Sequence, residues 1–143
     1  MLVREKESGP RVVVNQLSRV RATSLDQWLV VWQIKNLGRE TLKILSARLP
    51  HSRFRCDEKE FQAAVTLPPK ESVRLELPVK CEETPGAIVE NAFLILRLLW
   101  SGEPWRVLAR LRVSVNQEGE PETTTELVTT QRVGFSEPIK GKS

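Results

Sequence analysis

The feature that most narrows the fold of this chain is a period of two. In QWLVVWQIKN (residues 27–36), Trp28, Val30, Trp32 and Ile34 fall on one face while Gln33 and Lys35 fall on the other. The alternation recurs in VRLELPVKC, with Val73, Leu75, Leu77, Val79 and Cys81 in phase, and in WRVLARLRVSV, with Trp105, Val107, Ala109, Leu111, Val113 and Val115 in phase. Side chains of a strand point to opposite faces in turn, whereas an amphipathic helix repeats every 3.6 residues, a pattern scarce in this sequence. The chain is therefore expected to be all-β.

The remaining segments fit that reading. RVVVNQLSRVRA supplies a first strand, and Asn36-Leu37-Gly38 is a turn signal. In TLKILSARL the apolar phase inverts after Ile44, which predicts a β-bulge near Ile44 and Leu45, and Pro50 ends the strand. HSRFRCDEKE reads as a polar crossing between sheets, and FQAAVTL as a short strand closed by Pro68-Pro69. Pro78 removes a backbone donor inside an alternating run, which predicts an edge strand or an outward-facing N–H position. About seven strands at short spacing predict an antiparallel immunoglobulin-like β-sandwich over residues 10–116. Residues 1–9 are expected to be a flexible N-terminus. Residues 117–143 read as an acidic linker and tail, in which ELVTTQRVGF can add a weak strand.

The stretch WLVVWQIKNLGRETLKILSARL, followed by LPPKESVRLELPV, resembles bacterial immunoglobulin-like and fibronectin-III-like sandwiches of the cell-adhesion-related type. The resemblance spans about residues 10–116 and implies a binding or spacer role without catalytic residues. The chain departs from that pattern in having no tyrosine, so it lacks a tyrosine corner.

Charge is divided unevenly: residues 1–116 hold 19 Lys/Arg against 13 Asp/Glu, and residues 117–143 hold 3 against 5. A body at +6 with a tail at −2 is a mild preference for anionic partners and otherwise a solvated surface. The N-terminal MLVREKESGP is charged and has no apolar core of a secretory signal, and no apolar run reaches the roughly 18 residues of a membrane span. A soluble cytoplasmic protein without membrane contact is expected.

Chemistry-bearing residues are sparse. Cys56 and Cys81 with the single His51 cannot build a zinc site; buried thiols are the simpler expectation, with a Cys56–Cys81 disulfide as the alternative. His51 adjoins Ser52, but adjacency in sequence does not make a catalytic dyad. Asp57, Glu58 and Glu60, like Glu82 and Glu83, lack the oxygen density that calcium needs. No glycine-rich phosphate loop can be written. No cofactor and no enzymatic activity are expected. Trp28, Trp32, Trp100 and Trp105 fall in inward phases; Trp100 and Trp105 flank a turn, which keeps a small-molecule or carbohydrate site open as an alternative.

AFLILRLLW (residues 92–100) is apolar on both faces. With SGEP as the hairpin loop, Trp100 pairs with Trp105, Leu98 with Val107 and Leu94 with Leu111, which makes one face core. The other face then alternates Phe93, Ile95, Leu99 and Leu108 with Arg106, Arg110 and Arg112. Arginine stems lie along apolar surface with their heads in water, and an apolar patch of this kind marks a contact. Two covers compete: LVTTQRVGF (residues 127–135), with Glu118, Glu120, Glu122 and Glu126 opposite the arginines, or a protein partner, a second copy included. Nucleic acid is disfavoured, because apolar residues interrupt the basic stripe and the tail is acidic.

Overall fold

A computed structural model describes residues 8–134. It contains β1 (Val12–Arg21), β2 (Gln27–Asn36), β3 (Leu42–Pro50), β4 (Phe54–Leu67), β5 (Ser72–Cys81), β6 (Ile88–Trp100), β7 (Glu103–Val115) and β8 (Pro121–Arg132). All pairings are antiparallel in one sheet of order β1-β2-β5-β4-β3-β6-β7-β8. No helix occurs among the described residues.

The sheet curls until its terminal strands meet. At one end of that seam the closure is made by side chains. The Gln16 amide donates to the Pro121 carbonyl (3.3 Å) and accepts from the Thr123 N–H (2.8 Å) and hydroxyl (2.7 Å). The Thr123 hydroxyl in turn accepts from Trp32 Nε1 (3.3 Å), so a buried indole donor is satisfied across the interior. Arg19 adds an ion pair to Glu120 at 3.2 Å. The result is a nearly closed, barrel-like sheet.

A second discontinuity separates β4 from β5, which pair only at Phe54 with Cys81 and Arg55 with Lys80. Pro78 lies just past those pairs on β5, opposite Leu29 of β2. The N–H that a proline lacks is therefore missing where β5 no longer has β4 beside it. The Lys59 ammonium reaches across the gap to the Glu76 carbonyl (3.0 Å).

Inside, the alternating residues form one core: Trp28, Val30, Trp32 and Ile34 of β2, Leu75, Leu77 and Val79 of β5, Leu94, Leu96 and Leu98 of β6, and Val107, Ala109, Leu111 and Val113 of β7. The bulge expected in β3 is present, since the register shifts between Ile44 and Ser46 against both neighbours. Asn36 is buried at the turn between β2 and β3, where its amide donates to the carbonyls of Glu40 (2.8 Å) and Leu67 (3.0 Å) and accepts from the Gly38 N–H (2.9 Å).

Three local expectations are corrected. HSRFRCDEKE is no crossing: β4 begins at Phe54 and runs on through FQAAVTL, because Phe54 and Cys56 point inward while the charged residues lie on the solvent side. The β6–β7 loop is the two-residue turn Ser101-Gly102, both at positive φ (53° and 75°), so Trp100 pairs with Glu103 and Leu98 with Trp105. Residues 121–125, whose polarity reads as linker, are strand: Thr123, Thr124 and Thr125 are β-branched, and Thr123 is buried at the seam. Of the N-terminus expected to be flexible over residues 1–9, residues 1–7 lie outside the described residues, and Gly9 is buried, as is Pro10 after it.

Candidate functional site

The outer face of the β6–β7 hairpin lies in a four-strand lattice set by the register of β3, β6, β7 and β8. One row reads Arg48, Ile95, Leu108, Thr129; the next reads Ser46, Arg97, Arg106, Gln131; another reads Phe93, Arg110, Leu127. Arginines and apolar side chains are thus interspersed on this face, with Ile95 beside Leu108 in one row and Arg97 beside Arg106 in the next. Ile95 is 8% exposed, and Phe93, Leu99 and Leu108 are half-buried. The Nε atoms of Arg106 and Arg110 are buried without a hydrogen-bond partner, as expected where arginine stems cover apolar surface and only the guanidinium tips reach water. Arg112 lies near the end of the same strand and is exposed.

The acidic tail residues do not neutralise this face as a group. Glu126 stands 3.9 Å from Arg110, but Arg112 pairs with Glu90 (3.1 Å) and Arg106 donates to Gln131 (3.5 Å). Glu120 binds Arg19, and the Glu118 carbonyl accepts from Arg21 (3.2 Å). The reason is geometric: β8 extends the sheet beside β7 and does not lie over its outer face. Phe135, the last residue of the segment offered as a cover, lies outside the described residues.

Farther along the same face, Arg97 pairs with Glu58 (3.2 Å) and Glu60 (3.6 Å), and the Ser46 hydroxyl donates to Glu58 (2.5 Å). These contacts, the hydroxyl first, hold the Glu58 carboxyl below its ordinary pKa.

Trp100 and Trp105 meet edge to face, ring centroids 5.7 Å apart and planes at 78°. Neither forms an open platform: Trp105 is 8% exposed and Trp100 half-buried. Gly9 packs directly on the Trp105 ring, where an added Cβ would stand 2.8 Å from two ring carbons. Both indole Nε1 atoms are buried without a partner.

Cys56 and Cys81 are free, buried thiols, so the disulfide considered from sequence is not formed. Cys81 pairs with Phe54, two residues before Cys56, so the two thiols are diagonal rather than opposite. Burial pushes the Cys56 thiol up to about 11, which disfavours the nucleophilic thiolate. His51 accepts from the Arg53 N–H through Nδ1 (3.3 Å), beside an open cleft of about 330 Å³. Among the described residues no group of three or more His, Cys, Asp or Glu is placed to hold a metal ion, and no helix is long and apolar enough to cross a membrane.

Sequence reasoning missed a second surface. On the outside of β1 and β2, Val13, Leu17 and Leu29 are exposed, as are Val20 (60%) and, in the loop between the strands, Leu25 (83%). Val20, Leu29 and Pro78 form one register row across β1, β2 and β5. The signal was present in QWLVVWQIKN, whose outward phase includes Leu29 and Val31 beside Gln33 and Lys35. Compared with protein-family models and with curated proteins, the chain matches none.

Proposed function

We propose that this chain is a non-catalytic protein-interaction module of immunoglobulin-like type, using the outer face of the β6–β7 hairpin as its contact surface. The strand order supports the type: β1-β2-β5 and β3-β6-β7 follow the A-B-E and C-F-G order of that sandwich, with β4 between them and β8 as an addition. The observation that carries the contact surface is the buried Nε of Arg106, without a hydrogen bond, and that of Arg110, whose nearest carboxylate, Glu126, stands only at ion-pair distance (3.9 Å), among Phe93, Ile95, Leu99 and Leu108. A polypeptide that brings carboxylate or carbonyl oxygens to those guanidinium groups while covering Phe93 and Leu108 would satisfy donors and apolar area together. A cytoplasmic setting belongs to the same reading and fits two reduced, buried thiols.

Phe93→Glu tests the surface, with Val20→Glu on the opposite face as its control. Phe93→Glu is expected to abolish partner capture or self-association in pull-down and sedimentation while melting normally; Val20→Glu is expected to retain them. Loss with Val20→Glu alone would move the contact to the β1–β2 face, and unchanged behaviour of Phe93→Glu would refute the hairpin surface.

A second reading is favoured by one observation, the two unpartnered indole donors. Both Nε1 atoms are buried, so a small molecule or carbohydrate bearing acceptor oxygens would engage them only by turning the half-buried Trp100 ring outward. Tryptophan fluorescence during glycan titration checks this: a saturable quench that Trp100→Phe removes supports the site.

A further inference from the structure

On the hairpin contact surface, which this reading presupposes, we propose that the occupant is an acidic segment of another polypeptide. Its order is carboxylate-x-apolar-x-carboxylate, and Arg48 and Arg106 receive the two carboxylates. The cations of this face divide into two groups. Arg97 pairs with Glu58 and Glu60, Arg110 stands near Glu126, and Arg112 pairs with Glu90, so these guanidinium groups have carboxylates of their own. Arg48 and Arg106 do not. Arg106 donates to the neutral Gln131 at 3.5 Å and keeps a buried Nε without a hydrogen bond. Among the described residues Arg48 makes no hydrogen bond or ion pair, and it acts on Glu58 only through space. Both side chains are half-buried, so each has lost part of its water without gaining a counter-charge.

The register fixes how far apart these two cations lie. Arg48 is on β3 in the row of Ile95 and Leu108, and Arg106 is on β7 in the adjoining row, two strands away. A strand spacing of about 4.8 Å and a two-residue step of about 6.8 Å put their backbones about 12 Å apart. In an extended peptide, side chains four residues apart lie on one face at about 13 Å, and the residue midway between them shares that face. Laid across β6, such a segment brings a carboxylate to each arginine and its central apolar side chain beside Ile95.

Charge complementarity selects this occupant over others. Glu58, Glu60, Glu90 and Glu126 are already engaged by the arginines beside them, so a second copy meeting the chain through the same face would set arginine against arginine. The same four carboxylates repel a nucleic acid, whose backbone carries a charge at every nucleotide. A peptide places its charges one by one, and two of them at the spacing above meet the two cations that have no counter-charge.

The test is an NMR titration of the isotope-labelled full chain with the synthetic peptide Gly-Glu-Thr-Leu-Thr-Glu-Gly, blocked at both ends, and with a control carrying lysine for both glutamates. The acidic peptide is expected to shift the amides of Arg48, Ile95 and Leu108 and the Arg106 Nε–H saturably, and less so as salt screens the charges; the lysine peptide should leave them in place. Arg48→Gln and Arg106→Gln are each expected to weaken binding about tenfold. Arg74→Gln, on the outer face of β5, should not change it. Absence of a saturable shift with the acidic peptide would overturn the proposal, and so would equal binding of the lysine peptide, a result that needs no variant to fold. If both arginine variants bind the acidic peptide like the parent while Phe93→Glu does not, the acidic chemistry is wrong and the contact surface stands. Shifts confined to the β1–β2 face would overturn both. A parent that sediments as a dimer, dissociated by Phe93→Glu, would overturn the proposal in favour of a second copy.

Discussion

Glu58 shows how much of this surface depends on contacts between strands distant in sequence. Its carboxylate accepts from the Ser46 hydroxyl and pairs with Arg97, and both hold its pKa down. A carboxyl with a depressed folded-state pKa contributes stability that is fully present above its unfolded pKa and is lost as pH falls through the folded value. Glu58→Gln is therefore expected to lower the melting temperature modestly at neutral pH and to converge on the parent as pH falls below about 4, which flattens the acid limb; an acid limb identical to the parent's would refute this. The effect is modest, because the group is about one-third exposed (34%) and solvent screens it. Nothing in the local sequence marks this cluster, since Ser46, Glu58 and Arg97 meet only after the β3 bulge and the β4 register are set. The buried thiols were more legible: Cys81 kept the phase of its strand.

At the scale of elements, the β6–β7 hairpin shows why faces were easier to read than registers. SGEP looks like a four-residue loop because Pro104 and Glu103 are poor strand formers, yet the turn is Ser101-Gly102 and both belong to β7. The pairing therefore differs by two residues from the sequence expectation. A shift of two leaves every side chain on its face, so the core and the arginine lattice survive the error; a shift of one would have exchanged them. Ser101 holds a positive φ of 53° that asparagine tolerates better. Ser101→Asn is expected to stabilise the chain by a few tenths of a kcal/mol and Gly102→Val to destabilise it by about 1–2 kcal/mol, measured by urea unfolding. Strand β4 failed for another reason: its charged run masked the inward pair Phe54 and Cys56, which is shorter than any window that reports alternation.

For the whole molecule, β8 is part of the sheet and not an appendage. It pairs with β7 from Trp105 to Val115, and Thr123 satisfies the Trp32 indole deep in the interior. A chain ending at residue 116 would leave that donor and the inner edge of β7 open. It is expected to lose the cooperative thermal transition that the parent shows by circular dichroism; an unchanged transition would refute this. The sequence could not show this, because a threonine-rich acidic stretch satisfies the criteria for a linker until a partner strand gives its β-branched residues something to pack against. Around most of its circumference the wall is held by main-chain bonds, which almost any residue can supply. At the seam the final link is the carboxamide of Gln16, and only a side chain with both a donor and an acceptor at that reach can take its place. Ribbon and ring are thus specified separately: a few side chains, Gln16, Arg19 and Arg21 opposite residues 118–123, join the ends of this sheet, while the strands themselves are written over the whole length of the chain.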